Sequence, residues 1–239
     1  IFAPWAIYKE DFLSIGGHDP LYAPQSKEDS DIFNRFLLAG YEFVQTWSGF
    51  VYHMTCRGSR FADGAKRNPD GQVFMKGRET DEWLTQNHKS TRNFIRKWGH
   101  FVKHDSLLKP IVPPKYDVGF VVENCSHTTL YELEPWCSTI YTDWGHKAYI
   151  DTEQENTMFD LKDRVKSRIE ETPDNDIIVE FDAAEFTPEQ FNILAQLSEI
   201  LSNDEGIEED TVGQFDLGIF KITINSTKTY EQDLVICKI

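Results

Sequence analysis

The chain has 239 residues, 40% of them hydrophobic and 13% aromatic, which is enough apolar side chain to build packed cores and too much for a disordered tail. A formal net charge of −16 excludes non-specific nucleic-acid binding and a polybasic membrane footprint. No apolar run reaches the roughly 18–20 residues of a membrane span, and Cys56, Cys125, Cys137 and Cys237 form no C-x-x-C pair, so reduced thiols in a cytoplasmic protein are expected.

The opening Ile1-Phe2-Ala3-Pro4-Trp5 has neither an initiator Met nor a charged leader, and it reads as the interior of a fold preceded by further chain. Trp5–Tyr8 predicts a short strand and Lys9–Ile15 a helical turn stopped by Gly16-Gly17. Ser26–Ala39 predicts a helix, with Ile32, Phe33, Phe36 and Leu37 at helical spacing and Gly40 as its stop. Tyr41–Thr46 and Phe50–Met54 read as strands, residues 57–80 as an aperiodic loop, and Asp81–His104 as a helix.

Lys109-Pro110-Ile111-Val112-Pro113-Pro114-Lys115 is a stiff connector, and charge changes across it. Through residue 115 there are 16 Lys and Arg against 13 Asp and Glu; beyond it there are 8 against 27. Two domains follow, residues 1–108 and an acidic α+β domain over 116–239. In the second, Asp117–Glu123, Thr139–Thr142, Ala148–Ile150 and Ile177–Phe181 predict strands, and Phe159–Glu170 predicts a helix. Thr187 caps a further helix through Leu201, and Asp216–Ile224 with Leu234–Ile239 predicts a closing hairpin.

The chemistry-bearing residues cluster between Phe12 and His53. Gly16-Gly17 permits close backbone approach to a ligand. Glu28, Asp29 and Asp31 fall in the first turn of a helix, whose partial positive charge favours ionised carboxylates that can take a proton from a hydroxyl. His53 ends a strand, where a neutral imidazole could bind a divalent metal. Each feature has a plainer reading: Ser26-x-x-Asp29 is also a capping-box pattern, and Gly-Gly is an ordinary helix stop. His100 and His104 have metal-ligand spacing on one helix face but no third partner. A His18-Asp19 metal phosphohydrolase is a further, weaker reading.

Taken in order, Gly16-Gly17-His18-Asp19, then Glu28-Asp29-Ser30-Asp31, Arg35, Gly40-Tyr41 and Tyr52-His53 resemble the acceptor side of family 2 glycosyltransferases of the GT-A type, over about residues 1–60. The resemblance implies an α/β, partly GT-A-like (Rossmann-like) catalytic half in residues 1–108. It implies an inverting, metal-dependent enzyme that moves a sugar from a nucleotide-sugar donor to a glycan or other hydroxyl acceptor. Asp29 matches the catalytic base. Trp5, Gly16, Gly17, His18, Asp19, Glu28, Asp31 and Arg35 match substrate-side positions, and His53 matches a ligand to Mn²⁺ or Mg²⁺. His18 and Pro20 depart from the family pattern. The family's nucleotide-binding half with its Asp-x-Asp motif has no counterpart upstream, so the chain by itself is expected to be inactive. The alternative is a non-catalytic adaptor whose acidic domain binds a basic partner.

Overall fold

In a computed structural model, residues 5–46, 48–49, 65–67, 73–75, 81–143, 146–202 and 212–237 are described. The first element, α1 (Lys9–Ser14), ends where Gly16 and Gly17 take φ of +83° and +67°, a left-handed pair that glycine adopts without a Cβ penalty. A 3-10 turn over Pro20–Tyr22 follows, capped by the Asp19 side chain. The second helix, α2 (Glu28–Leu38), buries Ile32, Phe33 and Phe36 against Ile15, with Trp5, Phe12, Tyr41 and Phe43 around them. Trp5–Tyr8 and Tyr41–Thr46 form no strand, and the expected strand over 50–54 lies outside the described residues. In the segment read as a loop, β1 (Ala65–Arg67) pairs antiparallel with β2 (Val73–Met75).

The long helix α3 (Asp81–Trp98) stops at Gly99, with φ +80°, short of the expected His104. Its inner face serves both halves. Phe94 and Trp98 pack on Leu21 and Tyr22, while Ile95 enters the core of the acidic half. Arg92 and Arg96 reach past the proline connector to the buried carboxylates of Glu153 and Glu134.

The acidic half is built on β3 (Val118–Glu123), which is enclosed over all but its last residue, as suits a central parallel strand. From it the chain runs through α4 (His127–Leu133) to β4 (Thr139–Thr142), then through α5 (His146–Glu153) and α6 (Leu161–Arg164) to β5 (Val165–Ser167). It then returns to the other side of β3 as β6 (Ile177–Asp182). Helices α7 (Pro188–Ala195) and α8 (Leu197–Ser202) lead to the antiparallel hairpin β7 (Gly213–Leu217) and β8 (Phe220–Ile224). Across the sheet the order is β5-β4-β3-β6-β8-β7, the first four strands parallel.

This corrects the α+β expectation for residues 116–239: parallel strands joined by helices make an α/β unit. Ala148–Ile150 is helical, with Tyr149 turned into the core, and the helix expected over 159–170 yields to a strand at Val165. Leu234–Ile239 is not a strand over its described part; a 3-10 turn spans Glu231–Leu234. Among the described residues no helix is long and apolar enough to cross a membrane.

Candidate functional site

The Gly-Gly loop and the start of α2 are joined by one buried ion network. Arg35 donates from Nε to Asp31 Oδ2 at 2.8 Å and from its terminal nitrogens to the carbonyls of Ile15 and Gly17 at 2.7 and 2.6 Å. Asp31 Oδ1 accepts from Lys97 Nζ at 2.6 Å, from the Trp98 indole at 3.0 Å and from the Tyr22 hydroxyl at 3.3 Å. Lys97 also donates to Asp19 Oδ2 at 2.8 Å, while Asp19 Oδ1 accepts from the amide of Leu21. Burial raises the Asp19 pKa, but the charge and hydrogen bond of Lys97, the Leu21 amide and Arg35 outweigh it, and the net shift is downward. Burial, and then the negative charges of Asp31 and Asp19, push the Tyr22 hydroxyl well above its usual range.

Asp31 and Arg35 are 0% exposed, and their charged groups are taken by internal partners. Together they hold the Gly-Gly loop against α2. Gly16 is likewise closed off: a Cβ there would stand 3.0 Å from the Cβ and the carbonyl of Cys237, whose amide donates to Ile15. Gly17 is buried against the Phe12 ring. On the outer side, His18 is exposed and meets Trp5 and Phe12 edge-on at 6.4 and 5.3 Å.

The carboxylates at the head of α2 are different in kind. The helix begins at Glu28, and its N-cap is Lys27 in the left-handed conformation. Ser26, also at positive φ, does not close a capping box. Its hydroxyl donates to Asn87 Oδ1 of α3 at 2.6 Å, and Lys27 Nζ reaches the same oxygen at 3.3 Å. Asp29 therefore sits in the first turn, half-exposed, with no hydrogen-bond or ion-pair partner among the described residues. Beside it, Glu28 keeps one carboxylate oxygen enclosed and without a hydrogen-bond partner among the described residues.

Lys97, Asn87 and Cys237, which complete this arrangement, carry no local sequence signal, because each comes from a segment at least 58 residues from Asp29. The metal-ligand candidate His53 lies outside the described residues. Among those described, no three His, Cys, Asp or Glu side chains come together as a metal centre needs. His100 and His104 do not share a helix face, since α3 has already ended. His100 is buried with Nδ1 2.6 Å from the Phe101 carbonyl oxygen, and burial pushes its pKa down to about 4.

Open α/β sheets place ligands beyond the carboxyl ends of strands where the order reverses, here between β3 and β6. At those ends Asn124, at φ +52°, donates from Nδ2 to both oxygens of Asp182 at 2.9 and 3.0 Å and from its amide to Asp143 at 2.7 Å. Arg168 pairs with Glu123 and Asp143. The Ala184 amide and the Asn124 side chain hold Asp182 below the usual carboxylate pKa. These groups satisfy one another, and no sequence motif marks them. No family model, curated protein or solved structure matches the chain.

Proposed function

We propose that residues 1–60 form the acceptor wall and carry the general base of an inverting GT-A-type glycosyltransferase, with Asp29 as that base. One observation supports this above the others. Asp29 is accessible at a helix N-terminus and unpartnered among the described residues, and the capping box that would have explained it is not made, Ser26 being tied to Asn87. The neighbouring Asp19, Asp31, Arg35 and Lys97 form the rigid support that a positioned base needs.

In this reading the acceptor hydroxyl gives its proton to the Asp29 carboxylate as its oxygen attacks the anomeric carbon of the donor. The new glycosidic bond forms as the bond to the nucleoside diphosphate breaks, and the electron pair leaves with the diphosphate. The donor's nucleotide is held outside residues 1–60.

The test is acceptor-dependent release of nucleoside diphosphate from a panel of nucleotide sugars, using the longest natural polypeptide that carries this chain. Release with inversion at the anomeric carbon is the expected result. Absence of transfer with every donor and acceptor, in a folded protein, would contradict the reading.

A further inference from the structure

Away from Asp29, a cavity of about 520 Å³ opens between the C-terminal part of α3 and the acidic half. That volume lies in the range of small-ligand pockets. Four of the aromatic rings that line it pack edge to face in a row: Phe101 on Trp136 at 4.8 Å, Trp136 on Phe191 at 5.4 Å, and Phe191 on Phe186 at 6.5 Å. Phe101 is 48% exposed, a large apolar surface held at the mouth of a concave site.

The polar lining decides what would fit. Arg92 is already spent: its guanidinium lies 3.7 Å over the Tyr131 ring and donates to Glu153, to the Tyr149 hydroxyl and to the Tyr131 carbonyl. At 6% exposure it presents little of its charge to a phosphate or carboxylate. Glu132, exposed on the rim and unpartnered among the described residues, would repel such an anion further. A quaternary ammonium group would gain from the rings and Glu132 but would face the Arg92 cation in the wall. Arg92, Arg96 and Arg164 exceed their shared carboxylates, Glu134 and Glu153, by one positive charge, which Glu132 offsets, so a neutral ligand is favoured. His88, whose Nδ1 lies 3.2 Å from the Tyr131 hydroxyl, adds a second hydrogen-bonding group beside Glu132. Flat apolar walls with a polar rim match a ring that shows C–H bonds on its faces and hydroxyls at its edge.

We infer that this pocket is a binding site for a neutral saccharide, with a sugar ring stacked on the exposed Phe101 beside Trp136 and its hydroxyls bonded to Glu132 and His88. The inference stands on the pocket alone and does not depend on Asp29 being a base.

The test is calorimetric titration of the chain with maltohexaose, cellohexaose, mannohexaose and chitohexaose, with choline and phosphocholine as charged comparators. Saturable binding of at least one hexasaccharide at millimolar concentration or below is expected. Phe101→Ala and Glu132→Gln alter exposed side chains, so the fold, checked by circular dichroism, should persist. Each should weaken that binding by about tenfold, the scale of losing one stacking surface or one charged hydrogen bond. No binding to any of the four sugars, binding that both variants leave intact, or tighter binding of either charged comparator would overturn the inference.

Discussion

Lys97 is the residue on which the site's rigidity turns. It is 8% exposed and neutralises two carboxylates, Asp31 and Asp19, drawn from segments on either side of the 3-10 turn. Removing one partner of a buried pair leaves an uncompensated charge, at a cost of about 3–5 kcal/mol. Lys97→Met should lower stability by that amount in urea denaturation; a loss under about 1 kcal/mol would mean that apolar packing holds the loop instead.

His100 makes a second, pH-resolved prediction. Burial lowers its pKa from 6.5 to about 4, aided by Lys115 and Lys103 and opposed by the Phe101 carbonyl and Glu199. The unfolded chain thus takes up a proton first as pH falls, and stability drops between pH 6.5 and 4 with no change from this group above that window. The loss by pH 4.5 should be about 2–3 kcal/mol at roughly 1.4 kcal/mol per pKa unit. Glu134, held down to about 2 because Arg164 and Arg96 outweigh its burial, adds its own loss only below its ordinary 4.5. Urea titrations at pH 7 and 4.5 should show the upper window flattened in His100→Asn and kept in wild type.

Among the elements, those with strong local signals are legible in the sequence. The β-branched and aromatic runs at 118–123, 139–142 and 177–182 are strands, and the Thr187–Gln190 capping box starts α7 as its residues suggest. Legibility fails where tertiary packing overrides a short pattern. Tyr149 lies in a three-residue apolar run that suits a strand, yet its hydroxyl is needed beside Glu134 and Arg92, and a helix puts it there. Val165 breaks a helical pattern because β4 offers Ile140 as its parallel partner.

One strand position carries a sharp steric prediction. A Cβ on Gly119 of β3 would stand 2.2 Å from Asn175 Oδ1. The Asn175 side chain cannot swing aside cheaply, since its Nδ2 donates to Asp117 and its Oδ1 accepts from the Tyr141 hydroxyl. Gly119→Ala should therefore cost about 1–3 kcal/mol, the scale of overpacking, although alanine suits strands better than glycine. A thermal midpoint equal to wild type would show that the loop at 174–176 yields.

At the scale of the molecule, charge divides the chain near residue 115, while α3 ties the two sides together. Arg92 and Arg96 lie before the proline connector and Glu134 and Glu153 after it. A fragment ending at residue 108 would expose Ile95 and leave two buried arginines unpaired, so it should not fold alone by circular dichroism and proteolysis. A folded, protease-resistant fragment would show that α3 belongs wholly to the first half.

The candidate site is legible to a similar degree. Glu28, Asp29 and the Gly-Gly stop can be read from spacing, and α2 starts where a helix head was expected to within two residues. The division of labour among the acids cannot. Only the fold shows that Asp31 is enclosed by Lys97, Trp98 and Tyr22 while Asp29 is left open, because Lys97 and Trp98 arrive from distant sequence.

The most direct measurement of the Asp29 assignment is turnover and donor affinity, taken together, for Asp29→Asn and wild type in the longest natural polypeptide that carries this chain. If Asp29 is the acceptor-side base we propose, its loss should lower turnover by roughly 10²–10⁴-fold while donor affinity stays near wild type. Wild-type turnover in the Asn variant would contradict the account and leave Asp29 a surface carboxylate at the head of a helix.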